Sequence, residues 1–268
     1  MKTPPISIEI PALQEAYSPV ASTDTISAAG RKIILNELIH LRQHEDKVQA
    51  GDDHDAIHDM RVATRRTRSA LRLLGGYYRR KQVKRLLNGL KSLADALGAV
   101  RDLDVLLIDL RGRKDDQLSE VVGRLEQSRA AAHDDLTEYI DGRDYKATLV
   151  QLAAFATAPD DLADVTPPAP IQVRHVVPVL LHEQLAAVRG FDPLFDGEEG
   201  AQPDYEALHD LRIAFKRLRY AVHFFRDALG TSIDPFLGDL KTIQDHLGRL
   251  NDVVVFGKAL GKLQKKLD

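Results

Sequence analysis

The feature that most constrains this chain is a helical pattern that occurs twice. It spans residues 57–74, which are IHDMRVATRRTRSALRLL, and residues 208–225, which are LHDLRIAFKRLRYAVHFF. In both copies apolar residues recur at steps of three and four, which is the spacing of one face of an α-helix. The apolar positions are Ile57, Met60, Leu71 and Leu74, with Thr64 and Thr67 between them, and then Leu208, Leu211, Phe215, Leu218, Val222 and Phe225. The pattern predicts two helices that each bury one face.

Next to each apolar face runs a row of basic residues, which we call a basic ridge. The first ridge contains His58, Arg61, Arg65, Arg68 and Arg72, and the second contains His209, Arg212, Lys216, Arg219 and His223. Each ridge should be roughly 21 Å long at the rise of an α-helix. Neither ridge has the acids at i+4 that solvated charged helices often carry. Because an unpaired cation is costly to bury, the ridges are expected to face water, acids or a bound anion.

A second pair of matching segments follows the ridges and extends the repeat. LKSLADALGAVRDLDV at 90–105 matches LKTIQDHLGRLNDVVV at 240–255. The shared residues include Lys91/Lys241, Asp95/Asp245, Leu97/Leu247, Gly98/Gly248 and Asp102/Asp252. We expect each glycine to interrupt its helix, and the acids to cap a helix or to orient a basic neighbour. The repeat predicts two related helical halves with a pseudo-two-fold arrangement around a basic groove.

The remaining pattern predicts an all-α protein with one linker. We expect a flexible tail over 1–24, a first helical half over 25–157, a proline-rich linker over 158–170 and a second half over 171–268. Predicted helices cover 26–49, 78–97, 100–110, 117–140, 145–157, 173–189 and 234–248, besides the two ridge helices and a last helix to the terminus. Asp52, Asp53 and Asp55 should start the first ridge helix, and Pro178 either kinks the helix over 173–189 or marks its start.

Composition excludes several classes of protein. The chain has no Cys, and no segment approaches the 18–20 apolar residues of a membrane span. The N-terminus lacks the apolar stretch of a signal peptide, so we interpret the protein as cytoplasmic. Net charge is only −3, but basic residues are clustered in the ridges and at Arg79, Arg80, Lys81, Lys84 and Arg85. The distribution of charge, rather than its total, indicates a polyanionic partner.

No catalytic or cofactor motif stands out. There is no glycine-rich phosphate loop, no usable Ser/His/Asp grouping and no HExxH. The chain has no Trp, and its ridge-helix Phe residues belong to the apolar face, which argues against recognition of nucleic-acid bases. A metal site is a weaker alternative, because His54 and His58, and also His40 and His44, are spaced i and i+4. We therefore expect no enzyme activity, no cofactor and no sequence-specific nucleic-acid partner.

With both repeated segments in place, the chain resembles the CHAD (conserved histidine α-helical domain) family from about Ile26 to its end. The resemblance implies two helical bundles around a basic groove or pore that binds inorganic polyphosphate, often at polyphosphate granules, without catalysis. Some family members carry an N-terminal triphosphate-tunnel domain, and the short tail here implies no such activity. The second half is shorter after Val255 than the first is after Val105, so the second bundle is expected to be smaller.

The resemblance also implies which residues bind polyphosphate. By motif position they are His58, Arg61, Arg65, Arg66, Arg68, Arg72 and Lys91 in the first half, and His209, Arg212, Lys216, Arg217, Arg219 and Lys241 in the second. Arg31 and Arg174, in the helix before each ridge, are further candidates. Lys91 and Lys241 have the alternative of being ordinary solvated lysines, and isolated helical histidines often have packing roles.

Two other functions remain open at this point. The chain could be a charge-driven scaffold or adaptor that binds a nucleic-acid backbone or an acidic protein. It could also be an enzyme or a histidine phospho-acceptor, in which case turnover or a covalent phosphate label lost with His58→Ala or His209→Ala would reveal it.

Overall fold

The computed structural model describes residues 8–51, 53–112, 118–159, 171–195 and 205–267, without the side chains of His54 and residues 251–267. Within these ranges the chain is helical and forms no strand. The helices are α1 (Ile10–Ala16), α2 (Ile26–Ala50), α3 (His54–Leu74), α4 (Arg80–Gly112), α5 (Ser119–Asp141), α6 (Arg143–Ala156), α7 (Val173–Arg189), α8 (Tyr205–Phe224), α9 (Arg226–Leu229) and α10 (Asp234–Leu267). The predicted all-α class is confirmed.

The chain divides into two compact units, and the division falls in the proline-rich segment at 158–170. One unit comprises Met1–Pro19 and Thr25–Pro168, and the other comprises Val20–Asp24 and Ala169–Asp268. In the first unit α2 packs against α3 and α6, and α4 packs against α3, α5 and α6. In the second, α8 packs between α7 and α10 and supplies much of an apolar core, which includes Leu211, Leu218 and Val222. The pseudo-two-fold arrangement stays a prediction.

Local capping explains where α2 and α3 begin and end. The Thr25 hydroxyl accepts a hydrogen bond from the Ala28 amide at 3.1 Å, which is a standard helix N-cap. Gly51 ends α2 in the left-handed region at φ +80°, where glycine carries no steric penalty. Asp53 then starts α3, because its carboxylate accepts from the amides of Asp55 and Ala56. These boundaries agree with the sequence prediction.

The prediction of a flexible tail over 1–24 is wrong for residues 10–16. They form α1, and Leu13 of this helix is buried. Its first turn contains Pro11, which suits the start of a helix, and Arg42 Nε donates to the Ile8 carbonyl at 3.3 Å. The N-terminal segment is therefore held by contacts distant in sequence, which local pattern does not reveal.

The expected interruptions at Gly98 and Gly248 are also wrong, because α4 and α10 continue through them. A single internal glycine costs a helix only about 1 kcal/mol, and tertiary packing readily exceeds that cost. Consequently Asp95 and Asp102 do not cap a helix end. Pro178 likewise lies inside α7 and does not mark its start.

Candidate anion-binding site

The first ridge is carried by α3, whose neighbouring apolar face is buried as predicted. The fully buried residues of that face are Ile57, Met60, Leu71 and Leu74. Burial of each such side chain stabilises the fold by about 1.5–3 kcal/mol. Thr64 and Thr67 lie between them, and their hydroxyls donate to backbone carbonyls one turn earlier at 2.8 and 2.9 Å. This buried face fixes the rotation of α3 and so fixes where the ridge points.

The ridge side chains lie along the edge that α3 shares with α4. A Cβ atom on Gly98 would lie 2.8 Å from Nη1 of Arg61, so the guanidinium rests where a larger residue would be. Asp95 lies close enough to Arg68 to favour its charge. Gly98 therefore provides a close approach for Arg61, and Asp95 acts on a basic neighbour, which was one of its two expected roles.

Arg68 shows how densely the positive charge is packed. Its pKa is lowered by burial first, then by the charges of Arg72 and Arg61, while Asp95 opposes these effects. A guanidinium stays protonated in spite of such a shift, because its ordinary pKa is far above neutrality. The direction of the shift means that the ridge would be stabilised by an added negative charge.

His58 has a basic neighbour that sequence reasoning missed. The pKa of His58 is lowered first by partial burial and then by the charges of Arg101 and Arg65, while the charges of Asp59 and Asp55 oppose this shift. The imidazole is consequently neutral at pH 7 in the unbound protein. This neighbour is Arg101 on α4. The repeat did not identify it as a site residue, because the matching position in the second half is Asn251.

Arg66 lies outside the first ridge and contacts α2. One of its guanidinium nitrogens is 3.9 Å from a carboxylate oxygen of Glu37 on α2, and Glu37 is only 2% exposed. Burial raises the pKa of Glu37 to about 7, and the charge of Arg66 offsets part of this rise. Arg66 therefore contributes to the contact between α2 and α3, and ligand binding by Arg66 stays a prediction.

Arg31 lies in the interior of the first unit. It is 5% exposed, and its guanidinium donates to the Pro159 carbonyl at 3.0 Å. The same group lies over the rings of Tyr78 and Phe155, at 5.7 and 5.8 Å from their centres. These contacts hold the cation within the first unit, and ligand binding by Arg31 stays a prediction.

The second ridge is carried by α8 in the other unit. Arg212, Lys216 and Arg219 are half-buried, whereas His209 and Arg217 are exposed. The Arg219 guanidinium lies 5.5 Å from the centre of the Tyr220 ring. The helix is held by its buried face, as predicted for the apolar residues of this copy.

The remaining predicted residues are all exposed. Lys91 lies on α4, Lys241 lies on α10, and Arg174 is in the first turn of α7. The backbone amide of Arg174 donates to the Ser22 carbonyl at 3.0 Å, which leaves its side chain at the surface of the second unit. None of these three positions conflicts with ligand binding.

Arginines of both ridges have buried nitrogens that bear on anion binding. The Nε atoms of Arg68, Arg212 and Arg219 are buried and have no hydrogen-bond partner among the described residues, and Arg66, which lies outside the ridges, shares this property. A buried guanidinium nitrogen without an acceptor is unfavourable. The two ridges therefore hold arginines with a buried Nε that no described residue accepts from.

Other classes of site find little support in the described residues. They contain no group of three or more His, Cys, Asp or Glu side chains that could hold a metal ion. His44 is instead 4.0 Å from an Asp59 carboxylate oxygen. None of the described helices combines the length and apolar character needed to cross a membrane.

Comparison with known proteins identifies the family. Residues 32–261 match the CHAD domain. Uncharacterised proteins from two strains of Mycobacterium tuberculosis are 31% identical over 225 residues, which are 78% of this chain and 40% of theirs. The chain thus spans less than half the length of the curated relatives it matches.

Solved structures share the fold. The CHAD domain from the plant Ricinus communis superposes with a TM-score of 0.73 at 26% identity, over 93% of this chain and 82% of that one. PptA from Streptomyces chartreusis has a TM-score of 0.55 at 17% identity, over 90% and 85%, which is a likeness of fold alone. From the matched residues and the shared fold, the chain belongs to the CHAD domain family.

Proposed function

We propose that this protein binds inorganic polyphosphate through its two basic ridges and does not transform it. The observation that carries the proposal is the matched pair Arg68 and Arg219, each half-buried with an Nε that has no partner among the described residues. Membership of the CHAD family supports the same ligand. The groove shared by both ridges, which the resemblance implies, stays a prediction.

The chemistry of the ridges suits a polymer of phosphates. Arginine presents a planar fork that matches two phosphate oxygens, and the cations recur at each helical turn. Neutralising successive phosphates releases condensed counterions, which supplies much of the affinity for a polyanion. Neutral His58 adds a hydrogen-bond donor without further crowding of charge.

The test is a binding titration of long-chain polyphosphate and of duplex DNA matched in total charge, each at several salt concentrations. We expect tight polyphosphate binding and much weaker DNA binding. Reversing one charge on each ridge, with Arg65→Glu and Lys216→Glu together, should weaken polyphosphate binding at least tenfold.

A charge-matched control separates the ridges from the overall charge. Arg143 and Lys146 are exposed on α6, which carries neither ridge, and Arg143→Glu with Lys146→Glu changes the net charge equally. This control should bind polyphosphate within about twofold of the unmodified protein. Undiminished binding by the ridge variant would sink the proposal, and equal affinity for DNA would favour the scaffold function.

A further inference from the structure

A cavity of about 780 Å³ lies in the first unit, between the end of α3 and the start of α4. It is bounded by the last turn of α3, by the tight turn at Gly75–Tyr77 and by the first turns of α4. Its size falls within the range of sites that hold small molecules.

The cavity is strongly basic. Four cationic side chains line it: Arg72 at the end of α3, and Arg79, Arg80 and Lys84 at the start of α4. None of the described residues that line it carries a carboxylate. Lys81 and Arg85 belong to the same basic cluster in the sequence and are exposed, but they are not among the described lining residues. The structure thus separates this cluster into residues that face the cavity and residues that do not.

The floor of the cavity is apolar and firmly held. Leu71 and Tyr78 line it and are buried. The Tyr78 hydroxyl donates to the Ser27 carbonyl at 2.7 Å, and its ring meets the Phe155 ring edge-on at 4.7 Å. A rigid floor keeps the surrounding cations near one another before any ligand arrives, which lowers the cost of binding.

The cavity continues the first ridge. Arg72 is the last member of that ridge and also lines the cavity. Its charge acts on Arg68, one turn earlier, and Arg68 in turn lies within the influence of Arg61. Arg72 therefore connects the positive charge of the ridge with that of the cavity.

We propose that this cavity is a second phosphate site, which takes a short run of phosphoryl groups. The run is either the end of a chain bound along the first ridge or a free oligophosphate; the former rests on the proposed function and the latter does not. Arg72 and Arg80 offer forked donors to phosphate oxygens, and Lys84 supplies a point charge.

The test compares two charge-matched pairs on the same helix. Arg80→Glu with Lys84→Glu removes two cavity cations, whereas Lys81→Glu with Arg85→Glu removes two exposed neighbours outside it. Calorimetric titration with tripolyphosphate should show at least a tenfold loss of affinity for the cavity pair and less than a twofold change for the control pair. Circular dichroism checks that both pairs keep their helical content.

A parallel titration with long-chain polyphosphate identifies the source of the phosphates. A matching loss of long-chain polyphosphate affinity in the cavity pair identifies the chain end, and unchanged long-chain affinity identifies a free oligophosphate. The inference is overturned if the cavity pair weakens tripolyphosphate binding no more than the control pair. Full long-chain affinity in the Arg65→Glu, Lys216→Glu variant would instead contradict the proposed function, and the tripolyphosphate result would stand apart from it.

Discussion

Two neighbouring arginines on α3 serve different sides of the helix. Arg65 acts on His58 in the ridge, whereas Arg66 acts on Glu37 and His40 of α2. A helix turns about 100° per residue, so one step along the chain moves a side chain from the ridge to a helix contact. Both are arginines in one basic run, and only the packing of α2 distinguishes them.

Glu37 makes the stability of the protein depend on pH. Its pKa is raised from 4.5 to about 7, first by burial, with Arg66 opposing. The folded protein holds this proton more tightly than the unfolded chain does. The stabilising contribution is therefore complete below the unfolded pKa, and it is lost as the pH rises through about 7.

We expect Glu37→Gln, which cannot ionise, to be more stable than the unmodified protein by about 3 kcal/mol at pH 8. The difference should shrink as the pH falls towards 5. Urea unfolding at both pH values measures it, with Glu138→Gln, an exposed position on α5, as the control. The pKa of His40 is lowered by burial and by the charge of Arg66. His40 therefore makes stability change with pH in the opposite direction, but it does so equally in both proteins. A difference that does not vary with pH would contradict the assignment.

His58 should make polyphosphate binding depend on pH. Partial burial, Arg101 and Arg65 hold the pKa of its imidazole below the ordinary value of 6.5. A bound polyanion favours the protonated ring and raises this pKa, so affinity should increase as the pH falls from 8 to 6. Titrations across this range should show a shallower increase for His58→Gln than for the exposed control His182→Gln. Identical slopes for the two variants would exclude His58 as the source.

At the scale of helices, prediction succeeded where the signal is local. The caps at Thr25, Asp53 and Gly51 lie within one turn of the ends they define, and the bounds of α7 follow from its own pattern. Prediction failed where distant contacts decide, as at α1 and in the continuous α4. Within the site, the ridge residues follow from helical spacing. Arg101 does not, because only the packing of α4 on α3 brings it to His58.

Gly98 and Gly248 occupy matching positions with different surroundings, so they form a matched pair for a test. A Cβ at Gly98 would meet Arg61 Nη1 at 2.8 Å, whereas a Cβ at Gly248 would meet no described atom within 4 Å. The Arg61 side chain is flexible at its end, so we expect Gly98→Ala to fold and to displace the guanidinium. Polyphosphate affinity should fall several-fold.

Gly248→Ala should leave affinity unchanged and stabilise the protein by about 0.5–1 kcal/mol through helix propensity. Titration and thermal unfolding of both variants measure the two effects. Equal polyphosphate affinity in the two variants would mean that the position of Arg61 beside Gly98 does not matter for binding.

At the scale of the whole molecule, the protein carries a net charge of −3 and yet has two ridges suited to a polyanion. A ligand at the surface responds to charges within about a Debye length, which is about 8 Å at physiological salt. Acids elsewhere on the chain are therefore largely screened from a ligand on a ridge. Composition alone does not indicate that the protein suits a polyanion, whereas the helical spacing of the ridges does.

The same argument predicts how polyphosphate binding responds to salt. The logarithm of the binding constant should fall linearly with the logarithm of salt concentration, by about 0.7 for each phosphate neutralised on a single strand. Removing one cation from each ridge with Arg65→Glu and Lys216→Glu should make this slope shallower by about 1 to 2. The Arg143→Glu, Lys146→Glu control should retain the original slope. If the ridge variant lost affinity at every salt concentration with no change of slope, the loss would come from a disturbed fold and not from missing phosphate contacts.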